Sequence, residues 1–218
     1  MSANIQLYSL ATPNGQKVGI ALEEMGLDYE AHTIDIRNGD QFTEEFIKIN
    51  PNSKIPAIVD TTGNNGEPLA IMESGAILLH LAEKTGKFLP EDAAKRSHTL
   101  QWLFWQMGGL GPMFGQFGHF TKFAPQEFDL SYGQDRYTKE TKRLLAVLDK
   151  QLEGKEFVIG DELTIADFSI LPWIVCLDRF YGAKETLELN SYQNVTRWTE
   201  ALLARPGFQK GMAVCKIS

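Results

Sequence analysis

Cysteine is nearly absent from this sequence. There are two in 218 residues, Cys176 and Cys215, and they form no CxxC pair and no metal-ligand spacing. Such sparse use suits a reducing compartment, where disulfides seldom persist. Histidine is scarce too: His32, His80, His98 and His119 are scattered, with no HxH or HExxH pairing, so no structural or catalytic metal is expected. Basic residues are outnumbered, 21 Lys and Arg against 28 Asp and Glu, for a net charge of −7. A chain this acidic lacks the basic footprint that nucleic acid or an anionic membrane needs, so neither is expected as a partner. Long hydrophobic runs are also missing. The longest, Phe168 to Leu177, is roughly half the ~20 residues of a spanning helix, and Ser169 and Pro172 interrupt it, so it reads as a buried helix. Met1 to Gly15 has neither a basic n-region nor a continuous apolar stretch. No signal peptide is read there, and the expected location is the cytoplasm.

Hydrophobic residues make up 43% and charged residues 22%, close to the globular average, so sizeable cores can form. The N-terminal part alternates strand and helix patterns. Ile5 to Tyr8 reads as a strand. The stretch from Asn14 puts Val18, Ala21, Leu22 and Met25 on one helical face, and Gly26 is a natural stop. Tyr29 to Ile34 reads as a second strand, and Thr43 to Ile47 as a short helix with an acidic first turn. Lys54 to Asp60 is a strand entered through Pro56. Gly63 to Gly66 is a turn, Leu69 to Met72 the returning strand, and Glu73-Ser74-Gly75 opens a helix that Gly86 ends. The order β-α-β-α-β-β-α predicts one parallel and one antiparallel pairing in a mixed four-stranded sheet, the thioredoxin-like arrangement.

Phe88 to Asp92 reads as a linker. Beyond it the strand signals stop. Helical spacing recurs at Leu100, Leu103, Phe104 and Met107, at Leu144, Leu145, Leu148 and Leu152, over Phe168 to Phe180, and over Val195 to Leu203. Gly108 to Gly118, with five glycines and Pro112, suggests a bend. The fold expected is an α/β thioredoxin-like domain over residues 1–87 followed by an all-α helical bundle over residues 93–218.

Three motifs sharpen that reading. Lys54-Ile55-Pro56-Ala57 fits a proline that is cis at the edge of a thioredoxin-like sheet, or an ordinary trans proline at a strand start. Glu73-Ser74-Gly75 sits at a helix start, where free N–H groups and the dipole make an anion site; Ser74 can equally cap that helix. Thr164-Ile165-Ala166-Asp167 has the form of a capping box, and its role is folding.

With Thr12-Pro13-Asn14-Gly15-Gln16-Lys17 and the stretch from Leu100 to Met113, these motifs resemble the glutathione transferases. The likeness is to the nu class, also described as bacterial glutathione-dependent disulfide-bond oxidoreductases, and to the related fungal nitrogen regulators. It runs from about Ile5 to Phe208. It implies bound glutathione as co-substrate and a homodimer. It implies that Glu73 and Ser74 hold the γ-glutamyl end, that Gln41, Lys54 and the backbone of Ile55 contact the peptide, and that Arg136 reaches a ligand across the dimer interface. Thr12 and Asn14 are the expected catalytic pair, ahead of Tyr8 and Ser9.

The residues themselves support that chemistry. A thioredoxin would place a nucleophilic cysteine where Thr12-Pro13-Asn14 stands, and the N-terminal domain has none. The thiol must come from the ligand. Thr12 and Asn14 can donate hydrogen bonds at a helix N-terminus, which stabilises a thiolate. Asn14 capping the helix and Thr12 ending a strand is the plainer alternative. The function expected is reduction of small or mixed disulfides by glutathione. Conjugation of glutathione to electrophiles with peroxidase side activity is one alternative, and a non-enzymatic glutathione-binding regulatory module is another.

Overall fold

The computed structural model describes residues 4–63 and 66–217, so the expected turn at Gly63 to Gly66 lies partly outside the described residues, at Asn64 and Asn65. The chain divides into two compact units, Met1–Leu89 with Arg205–Ser218, and Pro90–Ala204.

The first unit contains β1 (Ile5–Ser9), α1 (Pro13–Met25), β2 (Tyr29–Thr33), a 3₁₀ turn (Asp40–Phe42), α2 (Glu44–Ile49), β3 (Ala57–Asp60), β4 (Leu69–Met72) and α3 (Ser74–Thr85). The sheet order is β2-β1-β3-β4. β1 and β2 are parallel, and the other two pairings are antiparallel. Alternation buries Ile5 and Leu7 of β1, while Val18, Ala21, Leu22 and Met25 of α1 face the core with Ile77, Leu78 and Leu81 of α3. Gly26 and Gly86 end their helices at φ 69° and 67°, the left-handed conformation glycine adopts without a Cβ penalty. α1 begins at Pro13 rather than at Asn14, because proline's fixed φ suits a first helical turn that needs no N–H. β3 begins at Ala57 rather than at Lys54.

The second unit contains α4 (Ala93–Trp105), α5 (Gly111–Gly118), α6 (Ser131–Gln151), α7 (Ile165–Arg179) and α8 (Gln193–Leu203). The glycine-rich stretch, where a bend is expected, carries a π-helical turn at Gln106–Leu110, and a second follows at His119–Phe123. The capping box is formed: Thr164 accepts from Ala166 N–H, and Asp167 Oδ2 accepts from Thr164 N–H at 3.0 Å. Asp167 Oδ1 also accepts from Val158 N–H and Trp198 Nε1–H, both at 2.9 Å, so one buried carboxylate ties α7 to α8 and to the preceding loop.

The expected extent of the helical domain, residues 93–218, needs correction, because residues 205–218 belong to the first unit. They carry a short helix, α9 (Pro206–Gly211), which packs on α1. A Cβ on Gly19 would lie 2.3 Å from the Gly211 carbonyl oxygen, so glycine is what allows the two backbones to approach. Arg205 pairs with Glu24 of α1 at 2.6 Å.

Candidate functional site

The strand registers gather the motifs at one end of the sheet. Tyr8 of β1 pairs with Ala57 at the start of β3, and Ala57 pairs with Met72 at the end of β4. The Leu10–Thr12 loop leaving β1, the Ile55–Pro56 bond entering β3 and the Glu73–Ser74 turn leaving β4 therefore share that end. β2 runs parallel to β1, with Ser9 opposite Thr33, so the loop that carries Gln41 leaves there too. Six expected site positions of the first unit (Thr12, Asn14, Lys54, Ile55, Glu73 and Ser74) come together by topology alone. Arg136 is exposed on α6 of the second unit, beside Met113, Tyr132 and Tyr137 in a groove of about 500 Å³. The constellation at the strand ends is built from first-unit residues only.

Thr12 is the N-cap residue of α1 by its extended backbone, and its side chain makes no capping bond. Asn14 is the second residue of the helix, so it does not cap it. The first turn carries no acid and leaves the dipole's positive end unopposed. Gly15 is required here: a Cβ would sit 2.0 Å from the Leu10 carbonyl oxygen. That close approach presses the start of α1 against the end of β1.

The Ile55–Pro56 bond is cis. Asn50, buried, donates from Nδ2 to the Lys54 carbonyl at 2.6 Å and accepts from Asn52 N–H at 2.9 Å, which fixes the approach to that bond. Lys54 itself is exposed. Gln41 donates to the Ile36 carbonyl at 3.4 Å, while its buried Oε1 has no partner among the described residues. An acceptor left this way needs a donor that the described residues do not supply.

Glu73 has φ 69° and ψ 115°, a strained backbone for a residue with a side chain, costing about 1–3 kcal/mol. It occupies the N-cap position of α3 without a side-chain capping bond. Ser74 is the first residue of the helix, which corrects the alternative that Ser74 is the cap. The Ser74 side chain is buried and receives a hydrogen bond from Lys17 Nζ at 3.4 Å.

Sequence reasoning gave Lys17 no role, yet it is the only lysine or arginine buried among the described residues, 1% exposed. Burial pushes its ammonium well below the ordinary lysine range, while the Glu73 carboxylate pulls the other way. The missed signal is helical spacing: Lys17, Ala21 and Met25 lie four apart, so the lysine sits on the apolar face of α1. Among the described residues no group of three His, Cys, Asp or Glu is placed to hold a metal, and no helix is long and apolar enough to cross a membrane.

Two strand-end helix N-termini without first-turn acids, an unpartnered amide oxygen and a lysine-backed serine together suit a small peptide-like anion. Comparison with known proteins points the same way. Residues 11–84 match the glutathione S-transferase N-terminal domain, and residues 110–206 match its C-terminal domain. The Escherichia coli protein named disulfide-bond oxidoreductase YghU is 50% identical, across 96% of this chain and 74% of its own length. A glutathione transferase from Burkholderia graminis, solved with two glutathione molecules bound per subunit, is 50% identical with a TM-score of 0.95, over 97% of this chain and 88% of that one. One from Pseudomonas putida, with one glutathione disulfide bound per subunit, is 49% identical with a TM-score of 0.93, over 96% and 91%. The chain belongs to the glutathione S-transferase family.

Proposed function

We propose that this protein binds glutathione at the strand-end constellation and uses its thiol to reduce small or mixed disulfides. The observation that carries this reading is the pairing of a first-helix start, Thr12-Pro13-Asn14, that carries no cysteine with relatives that are named for disulfide chemistry or hold glutathione disulfide. Thr12 and Asn14 stabilise the thiolate at the start of α1. Ser74 and the N-terminus of α3 take the γ-glutamyl carboxylate, and Glu73 takes its ammonium. Gln41, Lys54 and the backbone of Ile55 hold the rest of the peptide, and Arg136 contacts a ligand held by the other subunit of a nu-class-like homodimer. Phe104 and Tyr132, 65% and 75% exposed, support such an interface. The acidic chain and its few cysteines favour a cytoplasmic enzyme without nucleic-acid or membrane partners, and without a metal.

The chemistry balances with two glutathiones. The first thiolate attacks one sulfur of the substrate disulfide and forms a mixed disulfide, and the other sulfur leaves as a thiolate that takes a proton. A second glutathione thiolate attacks the glutathione sulfur of the mixed disulfide, which yields glutathione disulfide and the second substrate thiol. A steady-state comparison of a model disulfide with a model aryl halide, each with reduced glutathione, tests the reading. Faster turnover of the disulfide is expected. Turnover of the aryl halide alone would make conjugation the main activity. Sedimentation that gives a monomer at micromolar concentration would remove the dimer.

A further inference from the structure

We propose that Lys17 is a positioning residue that, through Ser74, makes the site selective for a ligand whose end is a zwitterionic amino acid; this rests on the glutathione reading above. Burying an ammonium costs several kcal/mol unless other groups compensate. The neighbouring positions on that face of α1, Ala21 and Met25, are apolar and buried and offer it no counter-charge. The side chain instead ends at Ser74 Oγ, at the first residue of α3. In its ammonium form, which burial opposes and Glu73 supports, Lys17 can only donate, so it occupies an acceptor lone pair of Ser74. The serine hydroxyl then meets an incoming anion as a donor, alongside the first-turn N–H groups of α3, with a positive charge behind it.

Glu73 completes the arrangement. It is exposed, precedes Ser74, and is the acidic group that acts on Lys17. Its backbone is held at φ 69°, which turns the chain between β4 and α3. A buried positive charge beside Ser74 and an exposed negative charge on the preceding residue form a pair of opposite charges. An α-amino acid end, carboxylate inward and ammonium outward, matches that pair head to tail. A ligand with the carboxylate alone is met by Lys17, and one with the ammonium alone by Glu73.

Calorimetry on the full chain separates these contributions with three probes: glutathione, glutaryl-cysteinylglycine, which keeps the carboxylate and lacks the ammonium, and 4-aminobutyryl-cysteinylglycine, which keeps the ammonium and lacks that carboxylate. Lys17→Met preserves the stem's length and apolar character. It should weaken binding of the first two about tenfold or more, the scale of a lost charge-assisted contact, and change the third by less than about twofold. Lys17→Gln carries the same test should Lys17→Met not fold, with thermal melting to check both. Equal losses for all three probes would mean that Lys17 only supports the shape of the site, and no loss for any would make it a packing residue; either result overturns the inference. A wild-type chain that binds no glutathione would overturn the glutathione reading itself.

Discussion

The backbone N–H of Ala11 donates to the carbonyl of Cys215 at 3.2 Å. The C-terminal tail is thereby tied to the loop that carries Thr12. One of the two cysteines thus belongs to the same unit as the proposed glutathione site, although sequence distance had put both in the helical domain. Cys215 is half-buried at the residue level, and burial pushes its thiol up from the ordinary range. Cys176 is buried, and its thiol is pushed up to about 11.

Neither thiol is ionised appreciably near neutral pH, so neither is a ready nucleophile. Cys176→Ser combined with Cys215→Ser should therefore keep disulfide reductase turnover within about threefold of wild type, a difference of less than ~1 kcal/mol. Steady-state assay of the folded double variant checks this. Abolished turnover would mean that a protein thiol takes part, with Cys215 the first suspect.

Ser74→Ala should weaken glutathione binding by about tenfold or more, since a hydrogen bond to a charged group is worth ~1.5–3 kcal/mol. Ser74 is not the cap of α3, so little of the effect should appear as lost stability. Calorimetry and thermal melting are to be read together. Unchanged affinity would remove Ser74 from the site, and a large drop in Tm would assign it a structural role.

Asp60 ends β3 fully buried, 2.8 Å from His80 Nε2 and 2.9 Å from Lys84 Nζ, and it accepts from the N–H and hydroxyl of Thr62. Burial alone would raise its pKa, but these donors outweigh burial and hold the carboxyl at about 2. The folded value lies below the unfolded ~3.9, so the stabilisation is present above about pH 4 and is lost as pH falls through about 2. Its size is on the order of 2 kcal/mol. Urea unfolding of wild type and Asp60→Asn from pH 7 down to pH 3 checks this. The gap between them should narrow as pH falls, and a constant gap would refute the assignment.

Much of the fold was legible because its signals are local. The apolar spacing of α1 and α3, the glycines at 26 and 86 and the Thr164–Asp167 box each specify their own few residues. The strand-end gathering of Thr12, Ile55 and Ser74 followed from β-α-β order, which leaves little freedom of register. Hidden features depended on partners distant in sequence. α9 returns to α1 through a Gly19–Gly211 approach that no periodicity announces. Lys17 was given no role from the sequence, because its partner Ser74 lies 57 residues away. The alternative in which Asn14 caps α1 does not hold, because Thr12, before a proline that suits the first turn, takes the N-cap position.

Thr12 and Asn14 yield the sharpest prediction. Thr12 Oγ1 is not used to cap α1, and Asn14 lies in the first turn, where backbone N–H groups and the dipole favour negative charge. If both stabilise the bound thiolate, loss of either donor raises the pKa of the glutathione thiol while binding of the peptide changes little. Free thiols titrate near ~8.5, and donors at a helix N-terminus lower such groups by one or more units. One lost donor should cost about 1–3 kcal/mol of thiolate stabilisation. At pH 7 that is roughly a 5- to 150-fold deficit in turnover. The deficit should shrink as pH rises, because high pH supplies thiolate without help. Thr12→Ala and Asn14→Ala are to be assayed across pH 6 to 10, about the range that brackets a free thiol, with the thiolate followed by its ultraviolet absorbance. A deficit that stays constant over that range, with an unmoved absorbance titration, would mean that these residues only position the peptide.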